Sequence, residues 1–173
     1  TVTGNTTDET AVGIPADQIT WISWKPEVKE AMAANALARR GNAGKIVKPN
    51  KTTTIGGPQS FENKVKIFPG AVDSRTYIEV QTVCVEGNDQ CGSGVDFLPS
   101  MDFNNDVKIT LSWAFLDVDG LTVDDFEVYY SEDEGMNWFE VNNPEIDYDA
   151  ETISVWQDHF TRYAWGLSIS ANL

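Results

Sequence analysis

Residues 106–113 read DVKITLSW. Apolar side chains occupy every second position of it: Val107, Ile109, Leu111 and Trp113. Successive side chains of a β-strand point to opposite faces of a sheet, so this alternation predicts a strand with one buried and one polar face.

The same period of two recurs from about residue 53 onward. It is found in NKVKIF, RTYIEVQTV, DFEVYYS, NWFEVN, TISVWQ and RYAWGLSI, which begin at residues 63, 75, 125, 137, 152 and 162. Turns rich in glycine, aspartate and asparagine separate these segments, and no helical pattern lies between them. Several short strands of this kind predict an all-β fold, an antiparallel β-sandwich.

The N-terminal third follows another pattern. Residues 1–24 are Thr-rich and irregular and end in ITWISW, which predicts an extended arm. The following KPEVKEAMAANALARRG predicts one short helix over about residues 26–40, because Pro26 suits a first helical position and Gly41 ends the helix. GNAGKIVKPNKT then predicts a linker. We therefore expect an arm over residues 1–52 and a sandwich over residues 53–173.

Charge is distributed unevenly along the chain. The net charge is −15, which argues against a nucleic-acid partner because phosphates bind basic surfaces. Residues 25–51 nevertheless hold seven of the twelve lysines and arginines. In one interpretation, this basic segment and the acidic remainder of the chain are both ordinary solvated surfaces. In the other, the basic arm docks on the acidic body of its own chain or of a neighbouring copy. No apolar run approaches the roughly 20 residues that a membrane-spanning helix needs.

The two cysteines, Cys84 and Cys91, flank a turn-forming stretch in CVEGNDQC. A hairpin would bring the two sulfurs together, so we expect a disulfide. A metal site is disfavoured, because two cysteines and one distant histidine do not complete a tetrahedral zinc site. The disulfide predicts an extracellular or cell-surface location, and candidate glycosylation sites at Asn5 and Asn50 agree with it.

Several motifs in order resemble the opening of a known domain. They are Gly56-Gly57, a strand at 65–68, the corner Pro69-Gly70-Ala71 and a second strand at 77–80. This order resembles the ZU-type β-domain that ankyrins, netrin receptors and the zonula occludens protein share with prokaryotic surface proteins, and the similarity extends over about residues 54–170. The resemblance implies a β-sandwich that makes protein contacts or forms part of surface proteins, and it does not imply an enzyme.

Some relatives of that domain cleave their own backbone at a His-Phe-Ser sequence, which His159, Phe160 and Thr161 resemble. The implied roles are general base for His159, electrophilic carbonyl for Phe160 and nucleophile for Thr161. In the alternative interpretation, Phe160 and Tyr163 anchor the last strand and His159 caps a turn. We favour that structural interpretation and expect no catalytic residue.

Two further sets of side chains suggest ligands. The acidic loop LDVDGLTVDDFE offers calcium ligands, although its glycine is misplaced for an EF-hand; a solvated turn is the alternative, and no other cofactor is expected. By strand parity three aromatic residues point away from the apolar faces, which predicts glycan binding unless Trp24 or the Ala-rich helix covers them. The calcium candidates are Asp117, Asp119, Asp124 and Asp125, and the aromatic candidates are Tyr129, Trp138 and Trp156.

These features predict a non-catalytic extracellular structural protein, a self-associating subunit of a surface assembly or filament. The arm would make the contacts through its apolar residues, namely Ile19, Trp21, Ile22 and Trp24. A strand donated to a neighbour's sheet satisfies an open edge, and head-to-tail repetition of that contact builds a polymer. The alternatives are a module that binds a glycan or a surface protein, and a self-cleaving domain.

Overall fold

The computed structural model describes residues 12–34, 41–87 and 90–169. Within them the chain forms one helix, α1 (Pro26–Ala33), and twelve strands. The strands are β1 (Ile14–Pro15), β2 (Asn42–Val47), β3 (Thr53–Gly57), β4 (Asn63–Ile67), β5 (Thr76–Gly87), β6 (Gln90–Leu98), β7 (Asp102–Ser112), β8 (Phe126–Ser131), β9 (Asn137–Glu140), β10 (Glu145–Asp147), β11 (Thr152–His159) and β12 (Arg162–Leu167).

The strands form two antiparallel sheets that pack against each other. One has the order β1-β9-β8-β12-β6-β5-β2 and the other the order β10-β11-β7-β4-β3. The predicted all-β sandwich is confirmed. Its core lies between the sheets, and the inward positions that the alternation predicted on β7, Val107, Ile109 and Leu111, are fully buried.

The Pro-Gly-Ala corner closes one end of the sandwich. Gly70 has a φ of +90°, a conformation that glycine adopts without strain, and its N–H donates to the carbonyl of Pro49 at 2.7 Å. The side-chain amides of Asn104 and Asn105 donate to the carbonyls of Gly70 and Pro69. The corner therefore turns the chain out of the β4 sheet while keeping its carbonyl groups hydrogen-bonded.

The predicted linker is wrong. Residues 42–47 form β2, which pairs with β5 along its whole length as the edge of the larger sheet. The sequence did not predict this strand because Gly44, Lys45 and Ile46 are all exposed, so apolar and polar residues do not alternate along it. An edge strand is held mainly by backbone hydrogen bonds, which any side chain permits.

The predicted helix begins where expected, at Pro26, and continues to Ala33. Val28 and Ala31 are its buried residues, so it contributes little to the core. The remainder of the predicted helix, residues 35–40, lies outside the described residues. In the described part of the chain, no helix has the length and apolar content to cross a membrane.

Candidate functional site

The arm enters the larger sheet between two of its strands. β6 and β12 pair directly only from Arg162 opposite Asp96 to Ala164 opposite Gly94. Beyond that point they separate, and residues 20–23, here called the arm strand, lie between them. We call the gap that they fill, between residues 92–93 of β6 and 165–167 of β12, the arm slot.

Backbone hydrogen bonds join the arm strand to both sides of the slot. The N–H of Ile22 donates to the carbonyl of Trp165 at 2.9 Å, and the N–H of Leu167 donates to Thr20 at 2.8 Å. On the other side, the N–H of Ser93 donates to the carbonyl of Ile22 at 2.8 Å. The arm is therefore held as a sheet strand, in the same way as a donated strand.

Side chains of the arm alternate between two apolar clusters. Ile22 and Trp24 enter the core between the sheets, where Trp24 is fully buried and its Nε1–H donates to the carbonyl of Val83 at 3.0 Å. Ile19 and Trp21 face outward. The four arm residues predicted for contacts are all buried, against this chain's own sandwich.

Two glycines make room for the arm. A Cβ on Gly92 would lie 2.8 Å from Cβ of Trp21, and one on Gly166 would lie 2.7 Å from Cγ2 of Ile19. Sequence reasoning did not single out these residues, although a glycine inside a strand pattern is the known signal of close approach by another backbone.

The outward arm residues form an outer cluster on the larger sheet, consisting of Ile19, Trp21, Val85, Tyr129, Trp138 and Ala164. The ring of Trp21 lies edge-on to Trp138 with centroids 4.8 Å apart and contacts Tyr129 at 6.0 Å. The exposure predicted for Tyr129 and Trp138 is wrong, because both are fully buried. Strand parity placed them correctly outside the core, but Trp21 covers them.

The third aromatic candidate, Trp156, is exposed on the smaller sheet, with 45% of its surface accessible. Its ring stacks on Phe68 with centroids 5.7 Å apart, and its Nε1–H donates to Oε2 of Glu145 at 3.1 Å. The ammonium group of Lys108 lies 5.7 Å from the ring centroid. These contacts hold the ring in one orientation.

His159 is held between two carboxylates at the end of β11. Its Nδ1 lies 3.0 Å from Oδ1 of Asp158 and its Nε2 lies 2.9 Å from Oε2 of Glu132. The hydrogen bond that His159 makes to Asp158, and after it the one to Glu132, raise the pKa of His159 above its ordinary value, although partial burial opposes this. The ring therefore holds its second proton more tightly than a free imidazole, which disfavours a general base.

The other two residues of the His-Phe-Thr sequence are also engaged. The hydroxyl of Thr161 donates to the carbonyl of Ser131. Phe160 is buried between Phe97 and Phe103, with its N–H bonded to the carbonyl of Met101. This arrangement favours the structural interpretation, in which Phe160 anchors the last strand. The Thr161 hydrogen bond adds a contact to β8 that the sequence did not predict.

A pocket of about 600 Å³ adjoins His159, and its charged side chains largely pair with one another. Arg162 binds Asp96 with two hydrogen bonds, Nε to Oδ1 at 2.5 Å and the second guanidinium nitrogen to Oδ2 at 2.8 Å. Since His159 binds Glu132, the pocket offers few free charges to a ligand. The Arg162–Asp96 pair connects β12 to β6, and the His159–Glu132 pair connects the end of β11 to the residue after β8.

We expect the ring of His159 to titrate above pH 6.5 in the folded protein. Because the folded-state pKa is raised, its ion pairs stabilise the fold fully below about pH 6.5, and this contribution is lost as the pH rises through the folded pKa. An NMR pH titration of this single histidine measures the midpoint directly. Glu132→Gln should lower it, whereas Glu86→Gln, the same change on a distant strand, should not. A midpoint at or below 6.5 would contradict the geometry.

The acidic loop does not assemble a cation site. The carboxylate of Asp125 accepts hydrogen bonds from the N–H and hydroxyl of Thr122, and Asp117, Asp119 and Asp124 are exposed. Nowhere in the three described ranges do three or more His, Cys, Asp or Glu side chains converge to hold a metal ion. The loop thus has the geometry of a solvated turn.

The predicted disulfide is confirmed. Cys84 and Cys91 are bonded, with their Cα atoms 4.7 Å apart on the paired strands β5 and β6. Asn50 is exposed in the turn before β3, so its side chain is sterically open to modification. Asn5 lies outside the described residues.

The fold and its slot define a class of protein: a disulfide-containing antiparallel β-sandwich whose N-terminal arm completes the larger sheet. No protein-family model and no curated protein matches this chain. The resemblance to ZU-type domains therefore stays a prediction.

Proposed function

We propose that this chain is a non-catalytic structural protein of an extracellular or cell-surface assembly, in which copies associate by exchanging the arm strand. The observation that carries the proposal is the arm slot. A segment that precedes the sandwich in sequence occupies a strand position inside the sheet and is hydrogen-bonded on both sides. A neighbour's arm would fit the same slot with the same contacts.

Exchange leaves the contacts unchanged, so their energy does not oppose it. The apolar side chains of residues 19–24 would be buried in either arrangement, and the same backbone hydrogen bonds would form. Concentration and the chain segment that joins the arm to β2 then determine which arrangement prevails. If each copy gives its arm to the next, the contact does not close on itself and a filament grows.

Two observations support an extracellular location, and two support a non-catalytic role. The disulfide suits an oxidising compartment, and the sequon at Asn50 is exposed. Both ring nitrogens of His159 are engaged by carboxylates, and the hydroxyl of Thr161 is bound to a backbone carbonyl. Self-cleavage would require all of these bonds to be rearranged.

Arm exchange can be tested by cross-linking β1 to β9, where Pro15 lies opposite Asn137. We expect the double variant Pro15→Cys/Asn137→Cys, refolded at high concentration with its native disulfide intact and then oxidised, to give a ladder on non-reducing denaturing gels. Arms seated in neighbours would link successive chains, whereas arms seated in their own sandwich would give only cross-linked monomers.

Single-cysteine variants are the matched controls, since each can form dimers at most. Refolding of the double variant at low concentration should shift the products toward monomer, because exchange is bimolecular. Monomer alone at every concentration would overturn arm exchange.

A further inference from the structure

A groove of about 620 Å³ lies on the outer face of the smaller sheet, on the side away from the core. We call it the outer groove. Its volume is within the range of small-ligand sites. β11 and β7 form its floor, β10 and the turn after it form one wall, and Lys64 of β4 lies on the opposite side.

One row of residues across the sheet shows how the groove is built. The pairing register places Glu145 beside Ser154, Ser154 beside Thr110, and Thr110 beside Lys64. The hydroxyls of Thr110 and Ser154 are hydrogen-bonded to each other at 3.0 Å in the centre of the floor. A row that runs from carboxylate through hydroxyls to ammonium presents acceptors on one side and donors on the other.

Two aromatic residues line or adjoin the groove. Tyr148, in the turn after β10, is 62% exposed and lines the groove, and its ring lies edge-on to Trp113 at a centroid distance of 6.4 Å. Trp156 lies further along β11, and Glu145, which also lines the groove, orients its ring. Asp147, the residue before Tyr148, pairs with Thr152, so the two rings are anchored about four residues apart along the strand, or roughly 14 Å.

We propose that the outer groove binds a neutral oligosaccharide. A sugar hydroxyl both donates and accepts a hydrogen bond, so it can bridge Lys64 on one side of the groove and Glu145 on the other. Lys108 lies 3.9 Å from Glu145 and pairs with it directly. The C–H faces of sugar rings pack on exposed aromatic rings such as Tyr148 and Trp156. Hydroxyls on the floor suit the same ligand.

Neutral ligands fit better than charged or apolar ones. A net charge of −15, together with carboxylates in the groove wall itself, disfavours a polyanion. An apolar peptide would need a continuous apolar floor, whereas Thr110 and Ser154 place hydroxyls there. The site is independent of the arm slot, which lies in the other sheet.

Affinity electrophoresis in native gels tests the proposal with soluble xyloglucan, galactomannan and mixed-linkage β-glucan as neutral probes and polygalacturonate as the anionic one. We expect at least one neutral polysaccharide to retard the protein. Trp156→Ala and Tyr148→Ala should each weaken that retardation about fivefold or more, as the loss of a central aromatic contact does.

The matched control is Tyr77→Ala, which removes an aromatic ring that is 55% exposed on β5 of the other sheet and should leave retardation unchanged. Thermal unfolding of each variant verifies that it is folded. No retardation by any neutral probe, retardation by polygalacturonate alone, or equal retardation of wild type and both aromatic variants would overturn the site. None of these outcomes affects the cross-linking test of arm exchange.

Discussion

Replacing Trp24 by alanine is expected to lower the free energy of unfolding by about 3–5 kcal/mol, the usual loss for a large buried aromatic residue. Trp24 has no accessible surface, although it comes from the arm. Its ring packs near Phe61, and its Nε1–H donates to the carbonyl of Val83. Truncation would leave a cavity between the sheets and remove the hydrogen bond to the carbonyl of Val83.

Denaturation by guanidinium chloride, followed by circular dichroism, measures this loss from the shift in midpoint. Trp156→Ala is the matched control, because it removes the same side chain from an exposed site and should cost within about 1 kcal/mol. Loss of less than 1 kcal/mol in Trp24→Ala would show that the arm does not complete the core.

The same variant should also loosen the arm locally. Once Trp24 no longer anchors it, the amide hydrogens of Ile22 and Leu167 should exchange faster with solvent, since both bond across the slot. Amides on β7 should change only as far as global stability changes. Equal acceleration everywhere would mean that the arm and the sandwich unfold as one unit.

Gly56→Ala is expected to cost about 3 kcal/mol of stability, because it combines backbone strain with a steric clash. Gly56 has a φ of +104°, in the left-handed region that favours glycine. A Cβ there would lie 2.3 Å from the carbonyl oxygen of Asn63 and 2.8 Å from Cα of Lys64. Both contacts are with backbone, so a side-chain rotation cannot relieve them.

The strand that the new Cβ would displace, β4, carries a buried polar network. Disturbing this network adds to the loss of stability. The side-chain amide of Asn63 donates to Ser60, and its oxygen accepts the N–H of Ser112 at 2.9 Å. The hydroxyl of Ser60 donates to the carbonyl of Asn63 at 2.6 Å. A shift of β4 would strain these bonds where water cannot replace them.

Gly120→Ala is the matched control for Gly56→Ala. Gly120 also has a positive φ, +77°, but a Cβ there would meet nothing within 4 Å. It should cost only the backbone strain, about 1 kcal/mol. The difference between the two denaturation midpoints then measures the clash, and equal losses would refute it.

Local patterns predicted much of this structure. The alternation in residues 106–113 gave the correct inner face of β7, and Val65, Ile67, Ile78 and Val80 are fully buried as expected. The turn sequence between the cysteines gave the disulfide. Each of these features depends on strand geometry or on residues close together in the chain, so it can be predicted from a short stretch of sequence.

The candidate site was less predictable. The alternation of side chains along each strand correctly placed Tyr129 and Trp138 outside the core. It gave no information on which residue covers them. That cover is Trp21, more than a hundred residues before either of them in the chain. Likewise, β2 shows no alternation of apolar and polar residues, because its place in the sheet depends on backbone hydrogen bonds to β5 and not on its side chains.

The inward side of each regular strand follows from its sequence, because successive side chains of a strand alternate between the two faces. What covers the opposite sides depends on the folded chain: the arm buries Tyr129 and Trp138 on the larger sheet, while Trp156 and the outer groove on the smaller sheet stay open. Whether a sheet face is covered depends on hydrogen bonds and packing between segments that are far apart in the chain. The alternation within either segment does not show which other segment packs against it.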